Sequence, residues 1–165
     1  PVQLQVPQGV NRIEVVTAEE MAQAALAAFA ETDLVIAAAA VADFRVAQIA
    51  EQKVKKEKDT GWDLHLVCNT DILATLGSKK NKQILVGFAA ESENLLANAQ
   101  EKMRKKNLDM IVANDILKPG AGFEVDTNII TILQKDGSWQ SYDKMSKKAA
   151  ADLILDAAQK ILAEQ

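Results

Sequence analysis

Small and charged side chains follow one apolar segment of this 165-residue chain. Four alanines at 37–40 lead to Asp43 and Arg45, and Lys53 opens a lysine-rich segment further along. Because alanine leaves the backbone accessible, a flat ligand can lie against this segment, while nearby ammonium groups can hold phosphate oxygens. The pattern predicts a nucleotide site.

Three further apolar segments also end in small or polar residues. These ends are residues 69–72, 87–91 and 113–115. In open parallel sheets, ligands bind beyond the carboxyl ends of the strands. We therefore expect all four ends to converge on one pocket.

Lys102 and Lys106 lie four residues apart on a predicted helix, so both project from the same face. Their repulsion costs only about 0.2–0.5 kcal/mol, whereas one ammonium–phosphate contact at about 4 Å gains roughly 4 kcal/mol of gross Coulomb energy in a half-buried site. Two interpretations stay open. The lysines bind phosphate together, or they form a solvated helix end whose charge suits the helix dipole. For the lysines from Lys53 onward, the simpler alternative is an exposed loop.

Strands alternate with helices along the chain, which predicts the α/β class. Thr17 and Glu20 have the spacing of a capping box at the start of the first helix. We expect a Rossmann-like, doubly wound, mainly parallel sheet with a C-terminal β-hairpin and helix. The predicted strands are 13–16, 33–39 (covered on both faces), 64–68, 84–88 and 109–113. A hairpin is predicted from 128–133 and 138–142. The later helices are predicted to start at 69–72, to span 91–107 and to run from Ser146 to Leu162.

Composition narrows the classes of protein. With 48% apolar and 25% charged residues, the chain can bury one core, and its net charge of −4 argues against broad nucleic-acid binding. No apolar run has the roughly 18–20 residues of a membrane span, so we expect a cytoplasmic protein. A single cysteine and a single histidine exclude an internal disulfide and a conventional zinc site. We interpret His65 as structural and Cys68 as a small buried group.

Segments along almost the whole chain resemble the phosphopantothenate–cysteine ligases, the CTP-dependent phosphopantothenoylcysteine synthetase domain of the bacterial coenzyme A biosynthesis bifunctional protein. The resemblance lies in residues 37–45, 53–56, 69–72, 87–91, 102–109, 111–114 and 122–123 with Asn128. It implies that the carboxylate of 4'-phosphopantothenate attacks the α-phosphate of CTP, giving an acyl-cytidylate and pyrophosphate, and that the amine of cysteine then displaces CMP. It further implies Mg²⁺ as partner of the triphosphate and a homodimer, and it leaves open an upstream flavin-dependent decarboxylase domain.

The resemblance also assigns roles to single residues. Lys53 is the implied catalytic residue, because an ammonium group can neutralise charge that builds on the α-phosphate. The implied CTP-binding residues are Ala37, Ala38, Ala39 and Asp43 in the pocket, Asn69, Thr70, Asp71, Ile72 and Phe88 around the cytidine, and Lys53, Lys102 and Lys106 at the triphosphate.

The domain of this family opens with a glycine-rich strand–turn–helix that the sequence does not contain. We therefore expect residues 1–165 to form one N-terminally truncated ligase domain that recognises CTP but is poorly equipped for turnover. A non-catalytic CTP-binding or dimerisation subunit of the same fold is the alternative. A nicotinamide-dependent Rossmann oxidoreductase is disfavoured, because the chain has neither Gly-x-Gly-x-x-Gly nor Tyr-x-x-x-Lys.

Overall fold

The computed structural model describes residues 4–55, 61, 63–91, 94–115 and 125–164, with only the backbone of Glu91 and Asp115. Lys56, Trp62 and most of the loop at 118–127 lie outside the described residues. In chain order the elements are α1 (Ala18–Phe29), β1 (Leu34–Ala37), β2 (Phe44–Val46), β3 (Leu66–Cys68), α2 (Ile72–Lys79), β4 (Ile84–Glu91), α3 (Leu95–Lys105), β5 (Met110–Asp115), β6 (Thr127–Asn128), β7 (Ile130–Gln134), β8 (Trp139–Ser141), β9 (Met145–Ser146) and α4 (Lys147–Ala163).

A five-stranded sheet in the order β1-β4-β5-β7-β8 forms the centre of the structure. The first three strands are parallel, and β7 and β8 continue the sheet in antiparallel pairing. The predicted α/β class, with a mainly parallel core and a C-terminal hairpin and helix, is confirmed.

Helices cover both faces of this sheet, as a doubly wound fold requires. Alternate residues of β5 point to opposite faces. Ile111 and Ala113 pack with residues of α1, α2 and α3, whereas Met110 and Val112 pack with residues of α4. Among the described helices, none is long and apolar enough to cross a membrane.

The predicted helix starts at Thr17 and Ser146 are confirmed by their hydrogen bonds. The Thr17 hydroxyl accepts from the backbone N–H of Glu20 (3.1 Å), and the Glu20 carboxylate accepts from the N–H of Thr17 (3.2 Å). At α4 the hydroxyl of Ser146 accepts from the N–H of Ala149 (3.1 Å). Both caps satisfy backbone donors that the first turn of a helix leaves unpaired.

The prediction that residues 64–68 form a strand of the parallel sheet is wrong. Within this segment β3 pairs antiparallel with β2, Phe44 opposite Cys68, in a ribbon separate from the main sheet. Alternation of side chains indicates a strand but does not identify its partner. Cys68 is exposed in this ribbon and not buried.

The prediction of a strand at 13–16 is wrong, because these residues form no strand and the first regular element of the described residues is α1.

The prediction of a strand at 33–39 that is covered on both faces is wrong in both burial and length. Among the described strands β1 pairs with β4 alone and is an edge of the sheet, with Ile36 37% exposed. The strand ends at Ala37, so residues 38 and 39 belong to the following loop. An apolar composition does not distinguish an edge strand from a central one.

The predicted helix at 91–107 begins later than expected. Strand β4 continues to Glu91, and α3 starts at Leu95 after Asn94, whose φ of 50° lies in the left-handed region. Continued pairing with β5, from Ala89 opposite Ala113 to Glu91 opposite Asp115, extends β4 past its apolar stretch.

Candidate functional site

A cavity of about 500 Å³ lies where β1 ends. It is bounded by α1, by β1 and the loop that follows, by the start of α2, and by single residues of β4 and of the end of α3. All but two of the predicted site residues line it: Ala37, Ala38, Ala39, Asp43, Asn69, Thr70, Asp71, Ile72, Phe88 and Lys106.

The β2–β3 ribbon joins two walls of the cavity. Asn69 follows β3, and its side-chain amide donates to the carbonyl oxygen of Ala42 (2.8 Å). Its backbone N–H donates to the carbonyl of Asp43 (2.8 Å). Arg45 of β2 donates to the Asn69 side-chain oxygen (3.2 Å) and to the carbonyl of Cys68 (2.8 Å). The loop after β1 and the start of α2 are therefore held together by the ribbon.

One side of the cavity is apolar and built from small residues. Ala37 is half-buried at the end of β1, Ala38 and Ala39 are exposed, and Ala25 of α1 lies in the same wall. Phe88 of β4, also half-buried, is the one aromatic side chain among these lining residues. Small residues beside an aromatic ring leave room for a planar group to lie against the backbone.

Asp71 and Lys106 provide opposite charges in the wall. The ammonium group of Lys106 lies 2.8 Å from one carboxylate oxygen of Asp71 and 3.1 Å from the other. Asp71 is also the N-cap of α2, since its carboxylate accepts from the N–H of Ala74 (3.0 Å). Partial burial raises the pKa of Asp71, but the hydrogen bonds from Lys106 and Ala74 and the charge of Lys106 outweigh it, so the pKa lies below its ordinary value of 3.8.

Lys53 and Lys102 are the two predicted site residues that do not line the cavity. Lys53 is exposed in the segment that follows β2, and Lys102 is exposed on α3 one turn before Lys106. The structure thus separates the two helical lysines that the sequence treats as equivalent. The roles of Lys53 and Lys102, like those of the residues that line the cavity, stay predictions.

Sequence reasoning missed the contacts between α2 and the turn that follows Lys106. Asn107 donates from its side chain to the carbonyl of Gly77 (3.0 Å), and Lys80 pairs with Asp109 in a largely buried ion pair. A glycine inside a predicted helix was the available signal, because such a glycine often marks close packing.

The carboxylates that could take part in metal binding at the cavity are Asp43 and Asp71. Within the described parts of the chain, no group of three or more His, Cys, Asp or Glu side chains is placed to hold a metal ion. Any divalent cation here would need most of its ligands from a bound substrate and from water.

Known proteins with similar sequences match nearly the whole length of this chain. It is 46% identical over 164 residues to the coenzyme A biosynthesis bifunctional protein CoaBC of Bacillus subtilis (strain 168), a match that covers 99% of this chain and 39% of the relative. The CoaBC of Haemophilus influenzae is 40% identical over 163 residues, which are 98% of this chain and 39% of that protein. The chain therefore spans well under half the length of these relatives.

The fold also matches a solved structure. The crystal structure of the C-terminal domain of CoaBC superposes with a TM-score of 0.83 at 34% identity, over 100% of this chain and 72% of that chain. The family model described as the DNA/pantothenate metabolism flavoprotein C-terminal domain matches residues 1–162. These matches confirm the family resemblance seen in the sequence. The chain belongs to the family of DNA/pantothenate metabolism flavoprotein C-terminal domains.

Proposed function

We propose that this chain is a CTP-dependent phosphopantothenate–cysteine ligase domain that acts in coenzyme A biosynthesis. The observation that carries the proposal is the single cavity shared by the loop after β1, the start of α2, Phe88 and Lys106. The names of the relatives support the pathway, since both are coenzyme A biosynthesis proteins. One nucleotide-binding ligase domain would occupy residues 1–165.

In this proposal the cytidine lies against the small residues of the cavity. Ala37, Ala38 and Ala39 leave the backbone open to the base, and Phe88 borders the same space. Asn69 to Ile72 close the cavity from the α2 side. The triphosphate extends toward Lys106, whose ammonium group is a charged donor for phosphate oxygens.

The reaction has two steps. A carboxylate oxygen of 4'-phosphopantothenate forms a bond to the α-phosphorus of CTP while the bond to the bridging oxygen breaks, and pyrophosphate leaves. The amine of cysteine then attacks the acyl carbon, the bond to CMP breaks, and the nitrogen loses its proton to water. The first step converts a poor acyl donor into one with a good leaving group.

Lys106 and Lys53 have different roles in these steps. Lys106 neutralises charge on the bound triphosphate, and Lys102, one turn earlier, adds positive charge on the same helix. Lys53 stabilises the charge that develops on the α-phosphate after its segment has moved to the cavity. Such a movement is required because Lys53 does not line the cavity.

Mg²⁺ fits this proposal as a partner of the nucleotide. Mg²⁺ in nucleotide enzymes is held mainly by phosphate oxygens and water, with one or two carboxylates from the protein. Asp43 and Asp71 are the acidic residues among the lining side chains. When bound, the ion would offset negative charge on the phosphates.

The proposal also covers the location, the oligomeric state and the partners of the enzyme. We place it in the cytoplasm as a homodimer, with CTP, 4'-phosphopantothenate and cysteine as its partners and with neither nucleic acid nor membrane as a ligand. The relatives are bifunctional and longer than this chain, which supports a second domain, such as a flavin-dependent decarboxylase, in the protein to which this sequence corresponds.

Thermal unfolding tests the nucleotide specificity. CTP with Mg²⁺ should raise the melting temperature more than ATP with Mg²⁺, because only a ligand that binds the folded state stabilises it. No rise with either nucleotide would contradict the proposal. A rise with NADH alone would favour an oxidoreductase.

Product analysis tests the reaction itself. With 4'-phosphopantothenate alone, labelled CTP should release pyrophosphate and form the acyl-cytidylate, and CMP should appear only when cysteine is also present. CTP binding without either product would identify the chain as a non-catalytic nucleotide-binding subunit.

A further inference from the structure

We infer that Gly77, Asn107 and the Lys80–Asp109 ion pair are positioning residues that aim Lys106 into the cavity. The inference rests on the proposed function only for the role of Lys106 as a phosphate ligand. The positioning itself rests on contacts between α2 and the turn that connects α3 to β5.

Lys106 has to reach the cavity along the side of α2. Its backbone lies against Gly77 near the end of this helix, whereas its ammonium group contacts Asp71 at the start. Asp71 and Gly77 are six positions apart, which corresponds to about 9 Å along a helix axis. Because the side chain of Lys106 joins these two contacts, the position of its backbone decides where the ammonium group lies.

Gly77 permits the close approach of the two backbones. A Cβ atom at this position would overlap the carbonyl oxygen of Lys106 and lie 2.9 Å from its carbonyl carbon. A backbone atom cannot rotate away as the end of a side chain can. Glycine destabilises a helix interior relative to alanine, so its presence in α2 is explained by this contact.

Asn107 fixes the turn from the other side. It has a φ of 51°, in the left-handed region, and its side-chain amide donates to the carbonyl of Gly77 (3.0 Å). The residue next to Lys106 is therefore bonded to the residue against which Lys106 packs. This hydrogen bond sets the distance between α2 and the turn.

Lys80 and Asp109 anchor the same turn in the protein interior. Lys80 donates to both carboxylate oxygens of Asp109 and to the carbonyl of Asn107 (3.3 Å). Asp109 also accepts from the backbone N–H of Leu85 (2.8 Å). The side chains of the pair are only 8% and 10% exposed. The turn that carries Lys106 is thus tied to the end of α2 and to β4.

A titration of Asp71 tests the positioning without any nucleotide. Lys106 is one cause of the lowered pKa of Asp71, so displacement of Lys106 should raise this pKa toward that of a Lys106→Gln variant. We expect such a rise in Gly77→Ala and in Asn107→Gly, which keeps access to the left-handed conformation, when the Asp71 carboxyl carbon is followed by NMR. Ser78→Ala is the control, because among the described residues the Ser78 hydroxyl donates to the carbonyl of Thr75 (2.7 Å), which lies on the same helix. An unchanged Asp71 titration in folded Asn107→Gly overturns the inference.

A double-mutant cycle tests the consequence for the ligand. Asn107→Gly should weaken CTP binding about fivefold, which is about 1 kcal/mol at 1.4 kcal/mol per tenfold, and should have no further effect in a Lys106→Gln background. A merely structural role would reduce affinity equally in both backgrounds, and that result overturns the inference while the proposed function stands. If the unsubstituted chain does not bind CTP, the proposed function fails and the Asp71 titration alone decides the inference. If Gly77→Ala does not fold, Asn107→Gly decides it.

Discussion

The ammonium group of Lys106 lies 2.8 Å from the carboxylate of Asp71, which joins the end of α3 to the start of α2. Asp71 is at once the N-cap of α2, the ion-pair partner of Lys106 and part of the cavity wall. In the proposed complex a triphosphate near Lys106 would compete with Asp71 for the same ammonium group. The pair therefore keeps Lys106 directed toward the cavity while no nucleotide is bound.

Two substitutions of Asp71 should distinguish the stability that its N-cap hydrogen bond contributes from the stability that its ion pair with Lys106 contributes. Asp71→Asn keeps a side-chain oxygen for the N–H of Ala74 and loses the pair, which is about half exposed on the Asp71 side. The expected loss is about 0.2–1 kcal/mol of unfolding free energy. Asp71→Ala also loses the cap and should cost about 1 kcal/mol more. Urea denaturation at neutral pH measures both, and equal losses would show that the carboxylate does not cap α2.

The contribution of Asp71 should also depend on pH. Because its pKa in the folded state lies below the ordinary value of 3.8, the stabilisation is fully present above the unfolded-state pKa and is lost as the pH falls through the folded-state pKa. The difference in stability between the unsubstituted chain and Asp71→Asn should stay constant near neutrality and shrink below about pH 4. A difference that grows as the solution becomes more acidic would contradict the assigned pKa direction.

Arg45 does not line the cavity, but its hydrogen bonds should affect the affinity for CTP. Arg45→Met keeps part of the aliphatic side chain but removes the hydrogen bonds to Asn69 and to the carbonyl of Cys68. Since those bonds hold the start of α2 against the loop after β1, we expect CTP affinity to fall about fivefold, equivalent to roughly one net hydrogen bond. Isothermal titration calorimetry provides the measurement.

His65→Ala is the matched control for Arg45→Met. His65 is exposed beside the same ribbon, and its backbone carbonyl, which accepts from the N–H of Ala47 (2.9 Å), is retained in the variant. CTP affinity should stay unchanged in this control. If both variants lose affinity equally, the effect belongs to the ribbon in general and not to the bonds of Arg45.

Much of the fold could be predicted from local patterns. Thr17 with Glu20 and Ser146 mark helix starts because their side chains bond backbone groups only a few residues away. The rule that ligands bind at strand ends predicts that Ala37, Asp43 and Phe88 share one cavity, and all three line it, whereas Ala113 and Asn114 at the fourth predicted end do not. Both rules depend on short-range chemistry and on the common geometry of parallel sheets.

The rest depends on contacts between distant segments. The sequence places Lys102 and Lys106 on the same face of a helix and does not distinguish them. Of the two, Lys106 is the one that packs against Gly77, which lies far away in the sequence. Likewise, nothing near Leu66–Cys68 identifies Phe44–Val46 as its partner, because either strand could also pair with the main sheet. Local periodicity contains no information on such choices.

Lys53 should affect catalysis more than folding. Lys53→Gln removes the ammonium group proposed to act on the α-phosphate, and loss of one such electrostatic contact lowers turnover about 100-fold. CMP release from CTP, with 4'-phosphopantothenate, cysteine and Mg²⁺ present, measures the effect. Lys55→Gln, at another exposed lysine of the same segment, should retain turnover. Unchanged turnover in Lys53→Gln would remove Lys53 from the mechanism.

The ion pair between Lys80 and Asp109 should be costly to break from one side. Lys80→Met leaves the buried carboxylate of Asp109 with the N–H of Leu85 and with Lys135, which is 3.9 Å away and 64% exposed. An uncompensated buried charge of this kind costs about 3–5 kcal/mol. Adding Asp109→Asn removes the charge but keeps an oxygen for the N–H of Leu85, so the double variant should recover much of the loss. Lys135→Met, which removes only the exposed partner, should cost at most about 1 kcal/mol. Urea denaturation of the three variants measures these changes in unfolding free energy. A double variant that is no more stable than Lys80→Met would show that lost packing, and not the unpaired charge, causes the destabilisation.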